Sequence, residues 1–268
     1  MDGILHNYHL EPVKIEDTDV TVPCILYLNY NKHNVKPIYD KHQYLCAQAN
    51  KYIQEKINDD IESSTVHAFC HKWLSAFSFS TELPELKIAT DDQKERVWTA
   101  VIEPRWKRFY NEESCRISWQ VLEELYTFKV ESMLDWDAFF ETAKFVDAGL
   151  LPEFVKSCIT KYDSMKKQMK VLDFTDYLLL MIEVLKSNEE LRNMVQDRYK
   201  IIVADENQDF TALMNELLLQ LYNPKKNRLI VVGDPDQTIY AFKGVSPDNI
   251  VNLVGALEDV TVLGLDTN

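Results

Sequence analysis

Between residues 200 and 232 the chain twice sets a short apolar run against an abrupt polar stop. Ile201-Ile202-Val203-Ala204 ends at Asp205-Glu206-Asn207-Gln208-Asp209, and Leu229-Ile230-Val231-Val232 ends at Gly233-Asp234-Pro235-Asp236-Gln237. Short β-branched runs bounded by polar clusters predict buried strands at 200–204 and 228–232, and the helical spacing of apolar residues between them predicts a helix over 211–222. A strand–helix–strand of this length suits a parallel crossover.

The same alternation appears near the start. Cys24-Ile25-Leu26-Tyr27-Leu28-Asn29-Tyr30 predicts a strand over 24–30, running into a polar turn at 31–34. A helix is expected over 38–57, and a second over 67–77 that carries Phe69, Trp73, Leu74 and Phe77 toward a core. From about 85 to 197 the texture changes: glycine occurs once, and helical periodicity predicts helices at 91–109, 118–132, 136–146, 151–168, 174–186 and 188–197, with Asp173 and Asn188 as caps. A helix at 247–255 and a strand at 259–264 close the pattern. The expected fold class is therefore α/β, a parallel sheet interrupted by an all-helical subdomain. The parts are 1–84 and 198–268 for the α/β domain and 85–197 for the insertion.

Length and composition fit that picture. With 268 residues, 46% hydrophobic and 27% charged, the chain has ample material for a core. Its longest apolar run, Tyr177 to Ile182, is too short to cross a bilayer, and the start lacks the pattern of a secretion signal. Five dispersed cysteines, at 24, 46, 70, 115 and 158, form no C-x-x-C pair, so a reducing cytoplasm is expected rather than a disulfide or zinc framework. The net charge of −14 argues mildly against nucleic acid as a partner, although a local track of cations and aromatics can bind a single strand on an acidic protein. Five lysines between 156 and 170, against Asp163 alone, read first as a solvated helix face.

Candidate chemistry gathers at the two polar stops, because ligands of parallel α/β sheets bind beyond the carboxyl ends of the strands. Asp205 can hold Mg²⁺ through water, and Glu206 can orient or deprotonate an attacking water. An acidic pair opening a helix is the plainer alternative, and the second polar stop 28 residues later favours the site. Gln237 suits a neutral sensor of a terminal phosphate. Tyr240, Phe242 and Lys243 offer a stacking platform for unpaired bases or, equally, a packed turn. A phosphate cradle of the form G-x-x-x-x-G-K-[ST] appears nowhere, and the six glycines lie at 3, 149, 233, 244, 255 and 264.

Taken together, Asp205-Glu206-Asn207-Gln208-Asp209 and Val232-Gly233-Asp234-Pro235-Asp236-Gln237-Thr238-Ile239-Tyr240-Ala241-Phe242-Lys243-Gly244 resemble motifs II and III of the UvrD/Rep-like superfamily-one DNA helicases. Thr65-Val66-His67-Ala68-Phe69 is similar to their T-F-H-S-F motif, and Leu28-Asn29-Tyr30-Asn31-Lys32 to the T-F-[TN]-N-K motif before it. Asp173-Phe174-Thr175-Asp176-Tyr177-Leu178 resembles the D-F-x-D-L-L stretch that precedes motif II. Asn207 and Phe210 depart from the commoner aromatic and threonine, and Phe242 replaces the usual tryptophan.

The resemblance implies a RecA-like (P-loop NTPase-type) sheet with a helical accessory subdomain, working with ATP and Mg²⁺. Asp205 would hold the metal, Glu206 would activate water, and Gln208 and Gln237 would sense the γ-phosphate. Tyr30, His67, Tyr240, Phe242 and Lys243 would line a single-stranded DNA track. The family's phosphate loop precedes the position of Tyr30 by some tens of residues, and its second RecA-like domain follows the point reached at Asn268. The expectation is thus a fragment of an ATP-dependent helicase or translocase, its first motor domain, inactive alone. Two alternatives stand beside it. One is a non-catalytic module that binds single-stranded nucleic acid or a partner; the other is one half of a split, two-chain helicase whose partner supplies the phosphate loop and second motor domain.

Overall fold

The computed structural model describes residues 24–37, 40, 61–78, 87–237, 245–246 and 248–264. Among the described residues four strands form one parallel sheet in the order β2-β1-β3-β4: β1 Cys24–Asn29, β2 Ile61–Thr65, β3 Tyr199–Asp205 and β4 Arg228–Val231. The α/β parallel architecture expected from the apolar runs is the one observed. Residues 32–37 are helical (α1), so the expected polar turn at 31–34 already belongs to a helix start. The helix expected over 38–57 falls almost wholly outside the described residues.

Helices α2 (Val66–Ser78), α8 (Phe174–Ser187), α9 (Glu189–Arg198) and α10 (Ala212–Leu221) bury their apolar faces against one side of the sheet. Side chains alternate along a strand, so Leu26, Leu28, Ile202 and Ala204 enter this core fully buried, while Tyr27, Asn29 and Asp205 turn to the other face. A chain of hydrogen bonds crosses the layers: Trp73 Nε1 donates to the Tyr199 hydroxyl at 3.0 Å, which donates to Glu62 at 2.8 Å.

A second core belongs to α3 (Asp91–Tyr110), α4 (Trp119–Glu131), α5 (Trp136–Phe140), α6 (Ala143–Ala148) and α7 (Pro152–Met169). It is rich in aromatics; Trp98 and Tyr162 stack with centroids 3.8 Å apart and planes at 7°. Within the 85–197 segment, the boundary between the two cores falls between α7 and α8. Asp173 and Asn188 cap α8 and α9 as expected, each accepting a backbone N–H at about 3.0 Å.

Three local expectations are corrected. The helix expected over 136–146 breaks in two because the Thr142 hydroxyl accepts from the Phe145 N–H at 3.3 Å and caps α6. Strand β2 was not expected, since Ile61-Glu62-Ser63-Ser64-Thr65 holds one apolar residue and shows no hydrophobic pattern. The strand expected over 259–264 is not formed: residues 260–264 have no regular structure, and Val262 and Leu263 are exposed. No described strand lies alongside them, and a strand needs a partner for its backbone groups.

The lysine-rich stretch also differs from a uniformly solvated face. Lys166 is buried, and its Nζ donates at 2.7 Å to Asp173, to Asp176 and to the Tyr126 hydroxyl. The capping box that starts α8 is thereby fastened to the helical lobe through one ammonium.

Candidate functional site

All four strands being parallel, their carboxyl ends meet at one edge. The register sets Thr65, Asn29 and Asp205 in a single row across β2, β1 and β3. The residues that follow each strand therefore converge: Tyr30 and Asn31 after β1, His67 at the start of α2, Glu206 to Asp209 after β3, and Gly233 to Gln237 after β4.

The turn after β3 is built tightly. Glu206 adopts a left-handed conformation (φ 54°, ψ 42°), which swings the chain into a short 3-10 helix, Asn207–Asp209. A non-glycine residue there is strained, and such strain concentrates at functional sites. The Asn207 N–H donates to the Val232 carbonyl at 2.8 Å, and the Val232 N–H to Ala204 at 2.8 Å, so the sheet pairing runs into the loops. Buried Gln208 then bridges them: its Nε2 donates to Glu206 at 2.6 Å, and its Oε1 accepts from the Asp234 N–H at 3.1 Å. Gly233 lets the two loops approach closely, because a Cβ would stand 2.8 Å from Gln208 Oε1, 3.1 Å from its N and 3.2 Å from Asn207 N.

Asp205 accepts a hydrogen bond from the Tyr27 hydroxyl. Burial, and then Asp205 itself, push the Tyr27 phenol well above the ordinary tyrosine range, so it is a fixed neutral donor. Asn29 is fully buried; its Oδ1 accepts from the Asn31 N–H at 2.6 Å, whereas its Nδ2 has no partner. Gln237 is exposed and turns back on its own loop, its Nε2 donating to Asp234 at 2.7 Å.

Of the expected single-strand track, Tyr30 is half-buried against the sheet core and His67 is half-buried at the head of α2. The His67 ring meets Phe174 edge-on at 6.3 Å, and burial lowers its pKa, favouring the neutral ring. Tyr240, Phe242 and Lys243 lie outside the described residues. Sequence patterns do not single out three further residues of this edge: Tyr27, hidden in an apolar run; Asn29, whose polarity at a strand end was the available signal; and Phe174, 55% exposed at the start of α8.

The edge is acidic. Asp205, Glu206, Asp209, Asp234 and Asp236 have no lysine or arginine ion-pair partner among the described residues. Burial, and next the Glu206 charge, raise the Asp209 carboxyl above its usual range. Hard oxygen donors, with one carboxylate oriented by a neutral hydroxyl, fit Mg²⁺ that keeps most of its water. No described cluster of three or more acidic, histidine or cysteine residues could enclose a metal outright. A triphosphate does not fit these residues by themselves, since carboxylates without cations or an amide cradle would repel it.

The profile of the UvrD/REP helicase N-terminal domain matches residues 14–257, and the chain belongs to that family. Over 111 residues it is 37% identical to the ATP-dependent DNA helicase Rep of Escherichia coli K12, covering 41% of this chain and 16% of that protein. Over 262 residues, 94% of the chain, it is 26% identical to a probable DNA helicase II homologue of Mycoplasma capricolum, covering 35% of it. The ATP-dependent DNA helicase UvrD2 of Mycobacterium tuberculosis H37Rv is 31% identical over 115 residues, 42% of this chain and 16% of that protein. The chain thus spans from 16% to 35% of the length of these relatives. Among the described residues no helix is long and apolar enough to cross a membrane.

Proposed function

We propose that this member of the UvrD/REP N-terminal domain family supplies the first motor domain of an ATP-dependent DNA translocase, and that it does not hydrolyse ATP alone. The observation that carries the reading is the clamp at the carboxyl edge. Gln208 and Gly233 hold the Asp205-Glu206 turn against the loop that bears Asp234 and Gln237.

In this reading Asp205 holds Mg²⁺ through water, Glu206 orients the attacking water, and Gln208 and Gln237 respond to the terminal phosphate. Bound Mg-ATP would supply the phosphoryl group; the chain's own part is to place carboxylates and amides around it. Tyr30, His67, Tyr240, Phe242 and Lys243 would line the single-strand track, where each stacked base contributes about 1–3 kcal/mol. The unpaired acidic edge favours, as a second reading, a partner chain that brings the phosphate loop and arginines.

Two measurements test this. The chain alone should show no DNA-stimulated ATP hydrolysis; hydrolysis lost in Glu206→Gln would overturn the claim of inactivity. Fused to the phosphate-loop segment and second motor domain of Rep, it should hydrolyse ATP in response to single-stranded DNA. Glu206→Gln should abolish that activity. A folded, active fusion indifferent to Glu206→Gln would overturn the site assignment.

A further inference from the structure

Tyr27 is an odd residue to find in this strand. The face of β1 opposite the core carries Ile25, Tyr27 and Asn29, and the Tyr27 ring is 8% exposed. Its hydroxyl does not end among apolar atoms. Tyr27 sits opposite Val203, two residues before the row that pairs Asn29 with Asp205, and its hydroxyl reaches along the sheet to the Asp205 carboxylate. Beside it, the Asn29 amide is wholly buried with its Nδ2 unpartnered. Asp205 is partly exposed, so Tyr27 lies beneath the carboxylate and leaves the solvent side of it open.

A neutral donor in this place has a particular consequence. A lysine or arginine would orient the carboxylate and also cancel its charge. A phenol orients it while leaving the negative charge intact for a cation. Phenylalanine would fill the same space without the donor, so packing alone does not call for the hydroxyl.

We infer that Tyr27 is a positioning residue for a divalent cation at Asp205, fixing the carboxylate from below so that its outward side meets the hydrated metal. This rests on the reading of Asp205 as the cation-holding residue. Partners of this kind, hydrogen-bonded to a metal-holding carboxylate, typically account for about 10–100-fold in metal affinity.

The test is titration of the full 268-residue chain with Mn²⁺, followed by the electron paramagnetic resonance of free Mn²⁺. The site is defined as the binding lost in Asp205→Asn, which separates it from weak association with the acidic surface. Tyr27→Phe should weaken that site by about 10–100-fold, while thermal unfolding without metal stays as in wild type. If Asp205→Asn removes the binding and Tyr27→Phe leaves it unchanged, Tyr27 has no positioning role although the cation reading stands. If Asp205→Asn changes nothing, the cation reading falls and the inference with it. Should Tyr27→Phe fold poorly, 3-fluorotyrosine at position 27 keeps the ring and acidifies its hydroxyl: the Mn²⁺ affinity of the site lost in Asp205→Asn should shift, and an unchanged affinity overturns the inference.

Discussion

Asp173 and Asp176 are buried around one lysine, whereas Asp205, Glu206, Asp209, Asp234 and Asp236 gather at the sheet edge with no basic ion-pair partner among the described residues. In the first cluster the ammonium of Lys166 lies 4.5 Å from the Tyr126 ring centroid and 4.9 Å from that of Tyr162. One ammonium is shared by both carboxylates, and its hydrogen bonds are completed from within. At the edge the acids are held by neutral groups, the Tyr27 hydroxyl and the Gln208 amide, and by backbone N–H groups. Neutral donors fix geometry and leave charge uncompensated. The first arrangement suits a structural joint between two cores, the second a place where a cation binds.

The largest expected effect is at the joint. Burial alone would favour a neutral Lys166 amine, but Asp173, Asp176 and Asp163 overcome it and hold its pKa above the ordinary lysine value. Removing one partner of a buried ion pair strands the other, at a cost of about 3–5 kcal/mol. Lys166→Met should therefore lower the free energy of urea unfolding by roughly that amount at neutral pH. The pH dependence sharpens the point. Burial raises the Asp176 carboxyl from 3.8 to about 6, against the pull of Lys166. Between those values the native state binds more protons than the unfolded state, so this group's contribution to stability falls as pH rises through the window. In Lys166→Met the Asp176 carboxyl loses the pull of the ammonium and holds its proton more tightly still. The variant's deficit should shrink on acidification, and a deficit independent of pH would show that the lysine acts through packing alone.

A smaller effect is expected where the two loops touch. In Gly233→Ala the new Cβ meets the Gln208 side-chain oxygen at 2.8 Å and the backbone nitrogens of residues 208 and 207 at 3.1 and 3.2 Å. Overpacking of this kind costs about 1–3 kcal/mol, and here it would also part Gln208 from the Asp234 N–H. The check is hydrogen exchange: the Asp234 and Asn207 amides should lose protection while those of the α7–α8 joint do not. Equal loss at both places would mean that the two regions are not independent.

The contrast between the regions also explains what could be read in the sequence. The apolar runs that became β1, β3 and β4 were legible because three strands share one core, and the longer helices α2, α3, α4, α7, α8, α9 and α10 were legible because each buries one periodic face, whereas the break between α5 and α6 was not. Strand β2 was hidden: its pairing with β1 supplies what its own apolar content does not. Lys166 was hidden for the opposite reason, since five lysines in one stretch look solvated until the partners of one are placed around it. At the edge, Asp205, Glu206, Gln208 and Gln237 stood out as polar residues ending apolar runs. Tyr27 was masked inside such a run, where only register shows its hydroxyl reaching Asp205.

The smallest expected effect concerns charge at the open edge, and it separates the two clusters by their response to salt. Asp209 is raised first by burial and second by the Glu206 charge. Glu206→Gln removes the second contribution and leaves the first, so the Asp209 carboxyl should titrate lower than in wild type but remain above its ordinary value. Carboxyl carbon NMR across an acid titration reads this directly. Exposed like charges are screened over about 8 Å at physiological ionic strength, whereas buried pairs are screened much less. The Asp209 titration in wild type should therefore move down as salt is added, and in Glu206→Gln it should barely move. The Asp176 titration, enclosed around Lys166, should stay in place in both. A wild-type Asp209 that ignores salt would mean that burial alone sets its pKa. The edge would then not be the uncompensated acidic surface on which a cation site depends.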